Sequence, residues 1–262
     1  EKKELEFKFA FIEGNKQKML GNYDKSAAYF AKCLKLNDKS AAARYELANL
    51  YIIQNDISTA ISLMNEATEI KPDNIWYNLL LAALYEKNNN IEEAISIYKN
   101  LLKDYPKRQD LYIDYASLLS VAEKYGKALD VYEDFEKSYG MSEKILMEKE
   151  KLLLKMGKNE EAYQLLENLI EINPDEVRYY GLLAETYIAN KELEKAKEVY
   201  DRLLKVDPDN GLAYFSLSEY YRITDDKEKS FEALKIAFAS EDVNLQLKLK
   251  KVVSFYFNSE DI

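Results

Sequence analysis

Apolar and polar residues along this chain follow a helical period, and the same pattern keeps returning. Between residues 75 and 106, Leu81, Leu84 and Tyr85 fall on one helical face, and Ile91, Ala94, Ile95, Tyr98, Leu101 and Leu102 fall on a second. Asn88-Asn89-Asn90 stands between the two faces, so the segment reads as two helices joined by a tight turn. Gly21-Asn22, Gln54-Asn55-Asp56, Gly157-Lys158-Asn159 and Thr224-Asp225-Asp226 occupy the same place elsewhere, each suited to ending one helix and capping the next. The predicted unit is a helical hairpin.

The hairpin repeats on a strict lattice. A small residue recurs every 34 positions, at Ser26, Ala60, Ala94, Ala128, Ala162, Ala196 and Ser230. A turn former or helix breaker follows each one at Asp38, Pro72, Pro106, Gly140, Pro174, Pro208 and Asp242, and all four prolines of the chain lie on this series. A small side chain at the lattice position lets the two helices of a hairpin cross closely.

These residues resemble the tetratricopeptide repeat, a 34-residue helix-turn-helix unit with a Leu-Ala pair and a Tyr in its first helix, Ala and an aromatic in its second, and a closing Pro. Leu47-Ala48 with Tyr51, Leu81-Ala82 with Tyr85, and Leu183-Ala184 with Tyr187 carry the resemblance. Tyr115-Ala116 with Leu119 departs from it, and Lys149-Glu150 replaces the Leu-Ala pair, which predicts looser or differently twisted packing near residue 150. The resemblance implies an all-α fold, a right-handed α-solenoid of tetratricopeptide helical hairpins in one superhelix. Its repeats are expected at roughly 7–40, 41–74, 75–108, 109–142, 143–176, 177–210 and 211–242, with a C-terminal helix at 243–257.

Composition narrows the function. Histidine is absent, which removes the commonest general base and every imidazole metal site, and Cys33, the only cysteine, sits on an apolar stripe as a core thiol. No glycine-rich phosphate loop is present. Acidic pairs such as Glu92-Glu93 and Glu160-Glu161 recur at the starts of second helices, where they complement the helix dipole. The chain is therefore expected to be no enzyme and to need no cofactor or metal. Its net charge of -10 argues against nucleic acid. Residues 1–50 hold 10 basic and 7 acidic groups against 27 and 40 in the remainder, so only the N-terminal end could favour an anionic surface. No apolar run is long enough to span a membrane.

Both ends look adhesive. Leu5, Phe7, Phe9, Phe11 and Ile12 crowd the first helix, and the last helix, with Asp242 as its expected N-cap, has a predicted buried stripe of Leu245, Leu249, Val252, Val253 and Tyr256 that leaves Leu247, Phe255 and Phe257 unplaced. That end is expected either to be an imperfect cap whose extra aromatics tuck into the last hairpin, or to be a truncated eighth hairpin or a surface covered by a neighbouring domain or a second copy. The chain opens on Glu1, as a processed protein or a piece of a longer one would. With its Lys, Asn, Ile and Tyr richness and acidic balance, it is similar to exported bacterial tetratricopeptide proteins, which favours an extracytoplasmic setting over the cytoplasm.

The resemblance also implies where a partner binds: the inner face of the first helices. By register that face carries Phe11, Tyr45, Leu79, Ile113, Met147, Gly181 and Phe215 in one row, with Asn15, Asn49, Ala83, Ser117, Lys151, Glu185 and Glu219 one turn on. A third row holds Lys8, Ala42, Trp76, Asp110, Lys144, Arg178 and Leu212. Trp76 either anchors a partner or packs against a neighbouring hairpin. Asn15 and Asn49 could bond an extended peptide backbone. The Lys-Asn clamp of chaperone-tail binders is missing, since Phe11 and Tyr45 stand where its lysine belongs. Glu185 and Glu219, with Arg178 and Arg222 nearby, give the C-terminal half an acidic character suited to a basic segment. The expected function is a non-catalytic scaffold that holds a peptide or helix of a protein partner. The alternative is a structural subunit of an assembly that uses its ends and convex face.

Overall fold

The computed structural model describes the backbone of residues 1–258 and the side chains of these except 251 and 254–258. The described residues form fifteen helices and no strand: α1 (Lys2–Met19), α2 (Tyr23–Leu36), α3 (Ala41–Ile53), α4 (Ile57–Ile70), α5 (Ile75–Lys87), α6 (Ile91–Asp104), α7 (Gln109–Val121), α8 (Tyr125–Tyr139), α9 (Glu143–Lys155), α10 (Asn159–Ile172), α11 (Val177–Ala189), α12 (Leu193–Val206), α13 (Gly211–Ile223), α14 (Lys227–Ala239) and α15 (Leu245–Asn258). From α3 onward every first helix begins 34 residues after the last, and so does every second helix from α2. The fold is an all-α helical-repeat solenoid. The chain divides into two compact units, Glu1–Ile145 and Leu146–Ile262.

The turn inside each hairpin needs one residue in the left-handed region, and these also fall 34 apart: Gly21, Asn55, Asn89, Glu123, Gly157, Lys191 and Asp225. Glycine, asparagine and aspartate tolerate that conformation. Glu123 and Lys191 do not favour it, and they are held there by the helices on either side. Of the hairpin turns expected to cap, Asp56 accepts from the Thr59 amide at 3.1 Å and Asp226 from Lys229 at 3.2 Å, while Asn22 and Asn90 make no side-chain cap bond; Ser40 and Asn210 cap α3 and α13, accepting from Ala43 at 3.2 Å and Ala213 at 2.9 Å.

In the first unit, the Ser26 hydroxyl donates to the Gly14 carbonyl at 2.8 Å, a direct measure of how closely α1 and α2 cross at the lattice position. Phe30 packs on the bare Gly14 backbone, where an added Cβ would lie 2.9 Å from its ring. Its ring reaches onward to Leu47 and Leu50, tying the first hairpin to the second. Ala48, Ala60, Met64, Ala67, Leu81 and Leu84 continue that core into α5. Cys33 is fully buried with its sulfur 3.8 Å from the Phe7 carbonyl, and burial pushes its thiol upward, as a core residue requires.

In the second unit, Leu166, Leu183, Ala196, Tyr200, Leu203 and Leu217 form the spine of a continuous core. The Ser230 hydroxyl repeats the close crossing, donating to the Ser218 carbonyl at 2.8 Å. Glu150 stands at the small-residue position of α9 and is buried, its carboxylate accepting from the Thr186 hydroxyl at 3.3 Å. Burial raises its carboxyl above the ordinary 4.5, with Thr186 and Lys151 opposing. For a carboxyl raised on folding, stability is fully present below the unfolded value and declines as pH rises through the folded one. Glu150→Ala is therefore expected to stabilise the chain by about 0.5–2 kcal/mol at neutral pH. It should also flatten the decline above pH 4.5 in urea melts, and a less stable variant at pH 7 would show that the Thr186 contact outweighs the burial.

The C-terminal helix corrects two expectations. Asn244, not Asp242, caps α15 by accepting from the Leu247 amide at 2.9 Å, while Asp242 turns back to accept from the Gly211 amide at 3.0 Å. The stripe expected to be buried is open: Leu245 is 70% exposed, and Leu249, Val252 and Val253 are each about half exposed. The register gives the reason. Val252 occupies the position of Ala48, Ala82 and Ala184, which are buried, but no second helix follows it among the described residues. The side chains of Phe255, Tyr256 and Phe257 lie outside the described residues. On α1, Phe7 and Phe11 join the core, whereas Leu5, Phe9 and Ile12 are exposed.

Candidate functional site

The rows mapped onto the first helices divide into residues committed to the fold and residues left at the surface. Phe11 is half-buried against Phe30, with ring centroids 5.6 Å apart, and Tyr45 stacks on Tyr77 at 5.2 Å. Leu79 is half-buried on α5. The Asn15 side chain donates one of its two amide hydrogens to the Phe11 carbonyl of its own helix at 3.0 Å, while Asn49 is half-buried on α3. Trp76 is 64% exposed at the start of α5, with the Arg108 guanidinium 5.7 Å from its ring centre. Arg108 in turn donates to Asp110 at 2.7 Å. Trp76 thus stands in solvent, braced on one face.

In the second unit, Arg178 pairs with Glu176 at 3.0 Å, its neighbour at the start of α11, and Glu185 is exposed on the same helix. Arg222 donates through Nε to Glu219 at 3.0 Å. That pairing reduces the acidic character expected from Glu219 alone.

Two clefts open along the seams between neighbouring first helices, and they sit at equivalent places in the repeat, three units apart. One, of about 260 Å³, is lined by Ile188 of α11, Leu193, Ala196, Lys197 and Tyr200 of α12, and Phe215, Ser216, Glu219, Tyr220 and Ile223 of α13. The other, of about 390 Å³, is lined by Ala83 and Glu86 of α5, Ile91 and Tyr98 of α6, and Asp114, Ser117, Leu118 and Val121 of α7. The first is mostly apolar and includes Phe215 and Glu219 from the expected rows. The second carries two carboxylates, and neither Glu86 nor Asp114 is held in an ion pair among the described residues. Burial and the neighbouring Asp114 charge raise the Glu86 carboxyl, with the Tyr98 hydroxyl within bonding reach of it. Burial and Asp110 raise Asp114, while Lys144 and Arg108 draw it down.

Glu86 and Ile188, at equivalent positions of their repeats, line these clefts, and neither was among the residues picked from the sequence. Among the described residues no group of three or more acidic, cysteine or histidine side chains could hold a metal, and no helix is long and apolar enough to cross a membrane.

Comparison with known proteins follows the same lines. The tetratricopeptide repeat family profile matches residues 19–84, 51–112 and 153–218, together more than half of the chain. No curated protein matches the sequence. Among solved structures, Naa15/Naa10 bound to HypK-THB aligns over 88% of this chain at 20% identity and a TM-score of 0.67, with this chain spanning 35% of that one. The C-terminal part of a TPR repeat-containing protein from Cytophaga hutchinsonii aligns over 90% of this chain and 97% of its own, at 17% identity and a TM-score of 0.61. A tetratricopeptide repeat protein from Parabacteroides merdae aligns over 94% and 98%, at 16% identity and a TM-score of 0.55. At these identities the likeness is one of fold.

Proposed function

The chain belongs to the tetratricopeptide repeat family, and we propose that it is a non-catalytic interaction scaffold that holds a peptide or helix of a protein partner in the groove lined by its first helices. Proteins of this family generally act as protein-interaction scaffolds, and fold alone names no partner. The observation that carries the reading is the pair of repeat-equivalent clefts on the seams between first helices, with the exposed Trp76 at the edge of the α5 surface. Clefts with apolar walls and a few polar groups suit side chains arriving from a bound segment. Trp76 and Leu79 in the first unit, and Phe215 and Glu219 in the second, are the residues assigned to direct contact, with Phe11, Asn15, Tyr45 and Asn49 beside the former and Arg178, Glu185 and Arg222 beside the latter on the first helices.

The test is a photo-crosslinking amino acid placed at Ala83, in the groove, and separately at Lys103, on the second helix of the same hairpin. Crosslinks from position 83 alone support the groove. Trp76→Ala is then expected to weaken the captured segment about tenfold or more by calorimetry, and unchanged affinity would remove Trp76 from the site. The second reading, a structural subunit of an assembly, is favoured by the uncovered Leu5, Phe9 and Ile12 of α1 and the open stripe of α15. Crosslinks from position 103 alone, or concentration-dependent sedimentation, would point to it.

A further inference from the structure

Resting on the groove reading, we infer that the cleft between α5, α6 and α7 receives a lysine or arginine side chain from the bound segment. The repeat supplies the comparison. Glu86 and Asp114 face one another across the seam between two first helices, and the same pair of positions can be followed through each unit. Two repeats earlier it holds Lys18 and Glu46, whose ammonium and carboxylate are bonded to each other. One repeat earlier it holds Ile52 and Leu80, both packed on the core. In the second unit it holds Leu154 with Leu182, Ile188 with Ser216, and Arg222 with Lys250. The remaining pairs within a unit combine apolar groups, a hydroxyl, opposite charges or two cations. The α5–α7 seam alone sets two carboxylates together.

Both side chains are exposed at the cleft, where partial desolvation raises each carboxyl, with Asp114 adding to the rise of Glu86 and Asp110 to that of Asp114. The cations nearest to hand do not resolve it. Arg108 is engaged by Asp110 and lies over Trp76, and Lys144 offsets only part of the burial of Asp114. A cleft of about 390 Å³ has room for a long side chain. Its walls at Ile91, Leu118 and Val121 suit a methylene stem, while the carboxylates and the Tyr98 hydroxyl suit the charged head. The Lys18–Glu46 contact is the same solution built from within the chain: a long cationic side chain laid across the seam onto a carboxylate.

The experiment uses the whole chain and random dodecapeptides selected by display on it. One selected peptide is synthesised with its lysine and again with norleucine, and both are titrated against the unaltered protein and against the Glu86→Gln/Asp114→Asn variant, whose fold is checked by circular dichroism. On the unaltered protein, norleucine is expected to bind about tenfold more weakly or worse. On the variant, the two peptides should bind alike. Equal binding on the unaltered protein, or a lysine advantage that persists in the variant, overturns the inference. If the peptides depend on Trp76 but are indifferent to lysine, the groove reading stands and this inference falls. If no peptide is retained, both fall.

Discussion

Phe30→Ala is expected to cost about 3–5 kcal/mol of stability, the largest effect of any single change considered. The side chain is fully buried and does two jobs. It fills the space that Gly14 leaves between α1 and α2, and it contacts Leu47 and Leu50 of the next hairpin. Removing the ring leaves a cavity that neighbours fixed by helix geometry cannot close. Stability in a solenoid is approximately the sum of each repeat and its interfaces with its neighbours. The loss should therefore appear first as fraying of α1 and α2, whose amides are expected to exchange faster before the rest of the first unit responds. Hydrogen exchange with mass spectrometry on the variant checks this. A loss below about 1 kcal/mol, or exchange that rises evenly along the chain, would mean that Phe30 does not join the first hairpin to the second.

Most of the fold could be read from the sequence because a repeat states the same physical requirement many times. The small residue at each crossing, the breaker at each hairpin end, and a Gly, Asn or Asp in five of the seven hairpin turns all sit 34 apart, and the helix starts follow them. The turns at Glu123 and Lys191 could not be recognised by residue type, because neither favours the left-handed region in which it is held. α15 misled for a related reason: its stripe has the period of a buried face, but burial depends on the element that covers it. The groove was half legible. Periodicity along one helix finds rows that point outward together, but it left Trp76 between the surface and a neighbouring hairpin, and the structure shows it exposed. The seam positions of Glu86 and Asp114 belong to two helices at once, so no single-helix pattern reveals them. Asn15 shows what a row leaves out, since one of its amide hydrogens is bonded to the backbone of its own helix.

Ala94→Leu is expected to cost about 1–3 kcal/mol, and it tests the principle on which the repeat is built. Ala94 is completely buried on α6, twelve residues after Ala82 of α5, which is equally buried. At the equivalent crossings the Ser26 and Ser230 hydroxyls reach the carbonyls of Gly14 and Ser218, each twelve residues earlier, at 2.8 Å. Helices that approach within reach of a serine hydroxyl have no room for the branched end of leucine, so the larger side chain must either strain its rotamer or push α5 and α6 apart. Separation would also disturb Tyr98, one turn on from Ala94 along α6 and part of the wall of the α5–α7 cleft. Ala94→Ser is the control. It should stay within about 1 kcal/mol of the unaltered chain, because its hydroxyl can donate to the Ala82 carbonyl as Ser26 does to Gly14. Urea melts of the two variants side by side decide the matter: a leucine variant as stable as the serine one would mean that the hairpins do not depend on close crossing at the 34-residue lattice.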